Sequence, residues 1–400
     1  MLHTARAMQA LEQNVERFTS FDRAISDELA AYKGAFGRLS ELDAAELARR
    51  LGPGTNGALP SEEWDDQRSG VLPCNIEHKH HAEARQWAAE ALFDRTTFAA
   101  DGSQVQPMPD ISVPVAAVQI GWFENPHNPD APYVKDVKVE LLPPDEIFVE
   151  RRGLSVFSDQ AVSLRRFERE VDVLCDWMRE RAGESPPPVV FFDGSLVVSF
   201  AEMLEDKVRE FYIEHAVRLV QTSEECRIPL IGYVDDSKAR DLVTMLGVAF
   251  ADLGDNARNG RTLTDASLLH GEMKWGDRTP AWVCNRSGVL GDYYDRSKIG
   301  FWGDRICFVY LKTAGQNVPA RLDVPRWVVE AGLIEDVVGI VRAEAVVGAG
   351  YPYAIETADA LAVITVEDRR RFYGLFERFA EEHNIRLRVA SKMQSKVRRR

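Results

Sequence analysis

The 400-residue chain contains no apolar run that reaches the ~18 residues needed to cross a bilayer. Its first twenty residues, MLHTARAMQALEQNVERFTS, lack the continuous apolar stretch of a secretory signal. The expectation is a soluble, cytoplasmic protein with no membrane partner. The five cysteines, Cys74, Cys175, Cys226, Cys284 and Cys307, are odd in number and form no C-x-x-C pair, so neither a disulfide frame nor a zinc cage is signalled. A Walker-type phosphate loop and a G-x-S-x-G elbow are also missing, which disfavours ATP hydrolysis and serine-esterase chemistry. Positive charge is in deficit. A formal net charge of −14 argues against binding duplex DNA or an anionic membrane with the whole surface, although a local basic groove stays compatible with it.

What is present is apolar sequence in regular patterns. With 45% hydrophobic residues the chain can bury a large core. Residues 4 to 32 and ELDAAELARRLG, closed by Gly52, read as helices, and NIEHKHHAEARQWAAEALF as another. From about Thr96 the period becomes strand-like in TTFAA, ISVPVAAVQIGWF and DVKVELL, which predicts an antiparallel meander. A long amphipathic helix, SDQAVSLRRFEREVDVLCDWMRERAG, leads to the apolar strand of SPPPVVFFDGS, whose lack of alternation predicts burial on both faces. Helices and strands then alternate, as parallel strands with crossover helices would require. Short strands at AWVCN, ICFVYLK and ARLDVP precede helices over Trp327 to about Val347, Ala354 to Ile364 and Glu367 to about His383. The division expected is a helical N-terminal region over 1–90, an α/β domain with helical insertions over 91–390 and a basic tail over 391–400.

One tripeptide occurs twice in this pattern. Asp101-Gly102-Ser103 and Asp193-Gly194-Ser195 each follow a β-prone run, so each Asp is placed at a strand end. Asp-Gly is ordinary turn chemistry when it stands alone. Two copies on neighbouring strands would aim two carboxylates at one point, which is what a hard divalent cation such as Mg²⁺ or Mn²⁺ takes. The helix before the second copy adds Glu168 and Glu170, and Glu170 stands four residues after Arg166, the spacing of a helical ion pair. The spacing alone does not separate the two glutamates. Near the C-terminus, GAGYPYAIETADALAVIT places Tyr351 and Tyr353 in a turn and Glu356 and Asp359 in the first turns of a helix. The histidines of EHKHH (His78, His80, His81) lack a metal-ligand spacing and read as surface residues.

FAADGSQ, LRRFEREVDVL, VVFFDGSL, IPLIGYVDDSKARDLV, RTLTDASLL, GDRTPAWVCNR, FVYLK, ARLDVPRWV and GYPYAIETADALAVIT, in that order from about Thr96 to about Thr365, resemble the NurA nucleases. The resemblance implies a ribonuclease H-like mixed sheet flanked by helices. It further implies a manganese-dependent nuclease, with Mg²⁺ as the alternative, acting on single-stranded and duplex DNA ends as a homodimer partnered by the hexameric HerA ATPase. It matches Asp101 and Asp193 to metal-binding acids and Glu170, through its R-x-x-x-E setting, to the helix glutamate. The pattern departs at one place, where Asp359 stands for a histidine carried by many members. Aspartate is the harder ligand and suits these cations, so the change either shifts metal preference or weakens the site. The expected catalytic and metal-binding set is therefore Asp101, Glu170, Asp193 and Asp359. Arg166, Tyr233, Lys238 and Arg240 are the expected DNA contacts, with Arg165 and Arg169 as further backbone contacts. A ribonuclease on the same fold and a non-catalytic scaffold for a DNA-translocating ATPase are the competing readings.

Overall fold

The computed structural model describes residues 2–388 apart from 53, 79, 109–110, 152–153, 158, 254–262, 287, 293, 296–299 and 316. The expected basic tail, 391–400, lies outside the described residues. Nine strands, labelled in chain order, carry the architecture. They are β1 (Gly57–Pro60), β2 (Thr97–Val105), β3 (Ala116–Asn125), β4 (Val134–Leu142), β5 (Val189–Asp193), β6 (Leu230–Val234), β7 (Trp282–Asn285), β8 (Ile306–Leu311) and β9 (Ala320–Pro325). The chain divides into two compact units, one from Met1–His78, Tyr233–Asp292 and Phe301–Val338, the other from Lys79–Gly232, Tyr293–Gly300 and Gly339–Arg400. Among the described residues no helix is long and apolar enough to cross a membrane.

In the second unit the strands run in the order β6-β5-β2-β3-β4. β2, β3 and β4 form the expected antiparallel meander, while β5 pairs with β2 in parallel, Thr97↔Val189 through Ala100↔Phe192. Three antiparallel strands followed by a parallel neighbour is the ribonuclease H-like order. The parallel step requires a crossover, and the Asp159–Glu180 helix provides it. That helix buries Phe167, Val171, Leu174 and Met178, a stripe at the three- and four-residue spacing of a single helical face. Trp177 stacks on Phe98 of β2 with ring centroids 4.4 Å apart and 9° between planes. Val189 to Phe192 are buried, as an apolar run without alternation predicts. Each such side chain contributes about 1.5–3 kcal/mol on leaving water, which makes this strand a rigid platform for whatever its end carries.

The first unit holds β1-β7-β8-β9, paired antiparallel throughout. Trp64 packs on Trp282 at 4.9 Å, and its indole N–H donates to the Leu42 carbonyl at 3.0 Å. Buried charge is paired here. Arg321, 1% exposed on β9, donates to Asp241 and, at 2.7 Å, to Asp323, with its guanidinium 4.0 Å from the Phe308 ring centroid. Arg286 holds the same Asp241 at 2.7 Å and 2.6 Å. Burial alone would raise the Asp241 carboxyl, but the two guanidiniums overcome it and hold the group at about 2.

Several helices differ from the expected spans. The one expected over residues 4 to 32 is two, Thr4–Glu12 and Val15–Gly37, and the one expected over NIEHKHHAEARQWAAEALF begins at His81. Lys238 and Arg240 precede the Asp241–Ala249 helix. The one anticipated from Trp327 to Val347 is broken into Arg326–Glu330 and Ile334–Val347, where Gly332 takes φ +69°. The histidine run ends in a cap, since the His80 ring accepts from the Glu83 N–H at the start of the His81–Leu92 helix.

Candidate functional site

Asp101 stands inside β2 rather than at its end, because β2 continues through Gly102 and Ser103 to Val105 in register with β3. What stops after Ala100↔Phe192 is the parallel pairing with β5, and the next residue on each strand is an aspartate, Asp101 on one and Asp193 on the other. Neighbouring strands lie about 4.8 Å apart, so the two carboxylates leave the sheet side by side. The glycines that follow do different work. Gly194 takes φ +152° and turns the chain away from the strand end. Gly102 stays extended, and a Cβ there would lie 2.8 Å from Arg166 Cγ.

Glu170 reaches the same place from the crossover helix. It falls on that helix's buried face, three residues after Phe167 and four before Leu174, and is 3% exposed. Glu168 lies off this face, half-buried and within ion-pairing distance of Arg165 and Arg169. Of the two glutamates, Glu170 is the one on the buried face. Arg166 Nη1 donates to the Gly102 carbonyl at 3.1 Å and to Glu170 Oε2 at 3.3 Å, tying the first Asp-Gly-Ser to the glutamate.

The fourth acid arrives on the Tyr353–Ala362 helix, where Asp359 is exposed and within hydrogen-bonding reach of Asp101. The start of this helix is held by Glu344, 1% exposed, which accepts from the Ala354 N–H and from Thr97 Oγ1, each at 2.9 Å, and pairs with His127 at 3.3 Å. The first residue of β2 and the first turn of the Asp359 helix thereby share one buried acceptor.

Tyr351, which the sequence placed in a turn without a role, donates its hydroxyl to Asp193 Oδ1 at 3.0 Å. The available signal was its position just ahead of the helix that carries Asp359. A hydrogen bond to a charged acceptor is worth about 1.5–3 kcal/mol. Tyr351→Phe is therefore expected to slow turnover by roughly 10–100-fold without unfolding the protein. Unchanged single-turnover rates in a folded variant would remove Tyr351 from the site.

The electrostatics follow from carboxyls that act on one another across this end of the sheet. Burial pushes Glu170 up to about 8, against the pull of Arg166 and with Asp101 and Asp193 adding to it. Burial raises Asp101 to about 6, with Asp193 and Asp359 contributing. Asp193 is also raised, by its protein surroundings first and by Asp359, while the Tyr351 hydroxyl opposes the shift. Solvent reaches Asp193 at the strand end, so its shift carries less weight than that of Glu170. Among the described residues no three acidic, histidine or cysteine side chains stand as a finished metal cage. The donor set is nonetheless all carboxylate oxygen, with its charge uncompensated apart from Arg166. That chemistry fits a hard divalent cation, which would be held by Asp101, Asp193, Glu170 and Asp359.

The expected DNA contacts fare differently. Arg166 belongs to the carboxylate cluster. Tyr233 is 1% exposed, so it is not available to stack on a base, its side chain having turned into the core. Arg240 Nε donates to the Leu263 carbonyl at 2.9 Å. Lys238 is exposed and paired with Asp236 at 2.7 Å. Arg165 and Arg169 are engaged by Glu140, with Glu146 and Asp172 as further partners.

The NurA domain family matches residues 95–364. No curated protein matches the chain. Among solved structures, NurA with manganese is similar over 92% of this chain and 98% of that one, at 12% identity and a TM-score of 0.41. NurA bound to dAMP and manganese covers 90% and 95% at 12% identity and a TM-score of 0.39. The catalytic domain of human endonuclease V covers 82% and 100% at 13% identity and a TM-score of 0.31.

Proposed function

We infer the activity from one premise: the chain belongs to the NurA family. It is accordingly a nuclease, and so a phosphodiesterase. We propose the finer reading that it is a divalent-metal-dependent DNA nuclease, cutting single strands internally and digesting DNA ends, as a homodimer served by a HerA-type hexameric ATPase. What supports this reading is that Asp101 and Asp193 each follow the last paired residues of two neighbouring strands, Ala100 and Phe192, with Glu170 tied to the first of these segments through Arg166. NurA itself has been crystallised with manganese, and Mn²⁺ is the proposed cofactor, with Mg²⁺ the alternative. Such an ion, when bound, lowers the pKa of a water and offsets the charge of the scissile phosphate.

The chain's own residues prepare that chemistry. Tyr351 fixes the Asp193 carboxylate through Oδ1. Arg166 ties Glu170 to the Gly102 carbonyl beside Asp101 and supplies positive charge among the carboxylates. Asp101 is held in the β2–β3 pairing and Asp193 directly follows the paired Phe192, so their spacing needs little reorganisation when a phosphate arrives.

Because a carboxyl must lose its proton to serve as a ligand, Mn²⁺ affinity is expected to rise with pH between about 6, where Asp101 titrates, and about 8, where Glu170 does. Calorimetric titration at several pH values checks this, with proton release on binding. A flat affinity between about pH 6 and about pH 8 would take Glu170 out of the ligand set, and a flat one below about 6 would take out Asp101. The function itself is tested by assaying cleavage of single-stranded DNA, duplex DNA and RNA with Mn²⁺ or Mg²⁺, with and without the cognate ATPase. Cleavage of RNA alone, or of nothing under any condition, overturns the DNA nuclease reading.

A further inference from the structure

β3 carries a seat for the helix that bears Asp359. Gly121 is the residue directly opposite Asp101 in the antiparallel register of β2 and β3, and directly opposed residues project to the same face of a sheet. On that face the Tyr353–Ala362 helix lies against the bare backbone. A Cβ at position 121 would sit 2.7 Å from the Ala362 nitrogen, 2.8 Å from Leu361 Cβ and 2.9 Å from the Leu361 carbonyl carbon. No L-residue with a side chain fits there unless the helix moves. Two residues along the same face, Gln119 Nε2 donates to the carbonyls of Leu361 and Ala362, both at 3.1 Å. These belong to the last turn, whose carbonyls have no partner within the helix. The sheet thus captures the end of this helix twice, once by shape and once by hydrogen bonding, and Asp359 precedes Leu361 by only two residues.

We propose that Gln119 and Gly121 are positioning residues that seat the Tyr353–Ala362 helix on β3 so that Asp359 stands beside Asp101. The inference rests on the metal-binding reading above. Helices packed on sheets usually have side chains of both layers between them. Here one layer is removed at a single point, the point facing Asp101. A helix held farther out would keep its apolar contacts elsewhere on the sheet but withdraw the Asp359 carboxylate from the cluster.

The test measures Mn²⁺ affinity by calorimetry on the full-length wild type, Gly121→Ala, Asp359→Asn and the double variant, with thermal unfolding recorded for each. Gly121→Ala is expected to weaken Mn²⁺ binding by roughly 10-fold or more, as loss of a ligand-orienting contact does. The double variant is expected to bind no more weakly than Asp359→Asn alone, because once the carboxylate is gone its placement no longer matters. A seat that serves packing only would change the unfolding temperature and leave this coupling absent. If Gly121→Ala does not fold, Gln119→Leu removes only the two donated bonds, and the same comparison is made with it, for which a several-fold loss is expected. Wild-type affinity in folded Gly121→Ala or Gln119→Leu overturns the inference alone, as do losses that multiply in the double variant. Failure of the wild type to bind Mn²⁺ overturns the metal reading and this inference with it.

Discussion

Replacing Asp193 by asparagine is expected to leave a folded protein that no longer cleaves DNA. The substitution keeps the side chain's size and keeps an oxygen to accept from Tyr351, so the local geometry survives. What is lost is one negative charge at the end of β5, beside Asp101. Stabilisation of a phosphoryl transition state through a metal ligand is worth several kcal/mol, so a loss on the order of 10³-fold or more in the rate of cleavage is expected. Stability should move the other way. The Asp193 carboxyl is raised by its surroundings and by Asp359, which means the ionised form is disfavoured where it stands, and asparagine relieves that. An unfolding temperature equal to or above that of the wild type, together with abolished cleavage, identifies Asp193 as a functional acid held at some expense of stability. Cleavage retained within a few-fold would show that the carboxylate cluster is not the reacting centre.

The second large effect concerns stability alone. Arg321→Met is expected to destabilise the protein by about 3–5 kcal/mol, because removing one partner of a buried ion pair leaves the other charge uncompensated. Arg321 pairs with both Asp241 and Asp323 while 1% exposed, so its loss costs two acids a partner in a place water does not reach. Arg286→Met makes the comparison. Arg286 holds the same Asp241 but its side chain is 22% exposed, and Asp241 would keep Arg321. The smaller loss is expected there. Chemical denaturation monitored by tryptophan fluorescence checks both, since Trp282 lies on β7 of this unit. Equal stabilities for wild type and Arg321→Met would mean that desolvation cancels the pairing, and the network would then contribute nothing net.

Much of the fold was legible because its determinants are local. The alternation in DVKVELL and the unbroken apolar run of VVFFD read directly as a strand of a meander and a buried strand, and β4 and β5 are those strands. The switch of apolar spacing in FEREVDVLCDWM marked a crossover helix. One distinction was readable and was missed. Placing Phe167, Val171, Leu174 and Met178 on a helical wheel puts Glu170 inside the apolar face and Glu168 outside it, which separates the two without any structure. Tyr233 went the other way, since a tyrosine near a strand end is amphipathic and only packing decided that it is buried.

By itself the sequence determined which elements form and which acids are available: a repeated Asp-Gly-Ser, a glutamate on a helix and an aspartate in a late helix. These follow from periodicity and composition, properties of residues within a few positions of one another. Only the tertiary structure decided which of these segments are neighbours. That Asp101 lies mid-strand, that Asp193 is its neighbour, that Tyr351 donates to Asp193 and that Gly121 admits the helix of Asp359 all depend on register and close approach between segments as much as 240 residues apart, which no local pattern encodes.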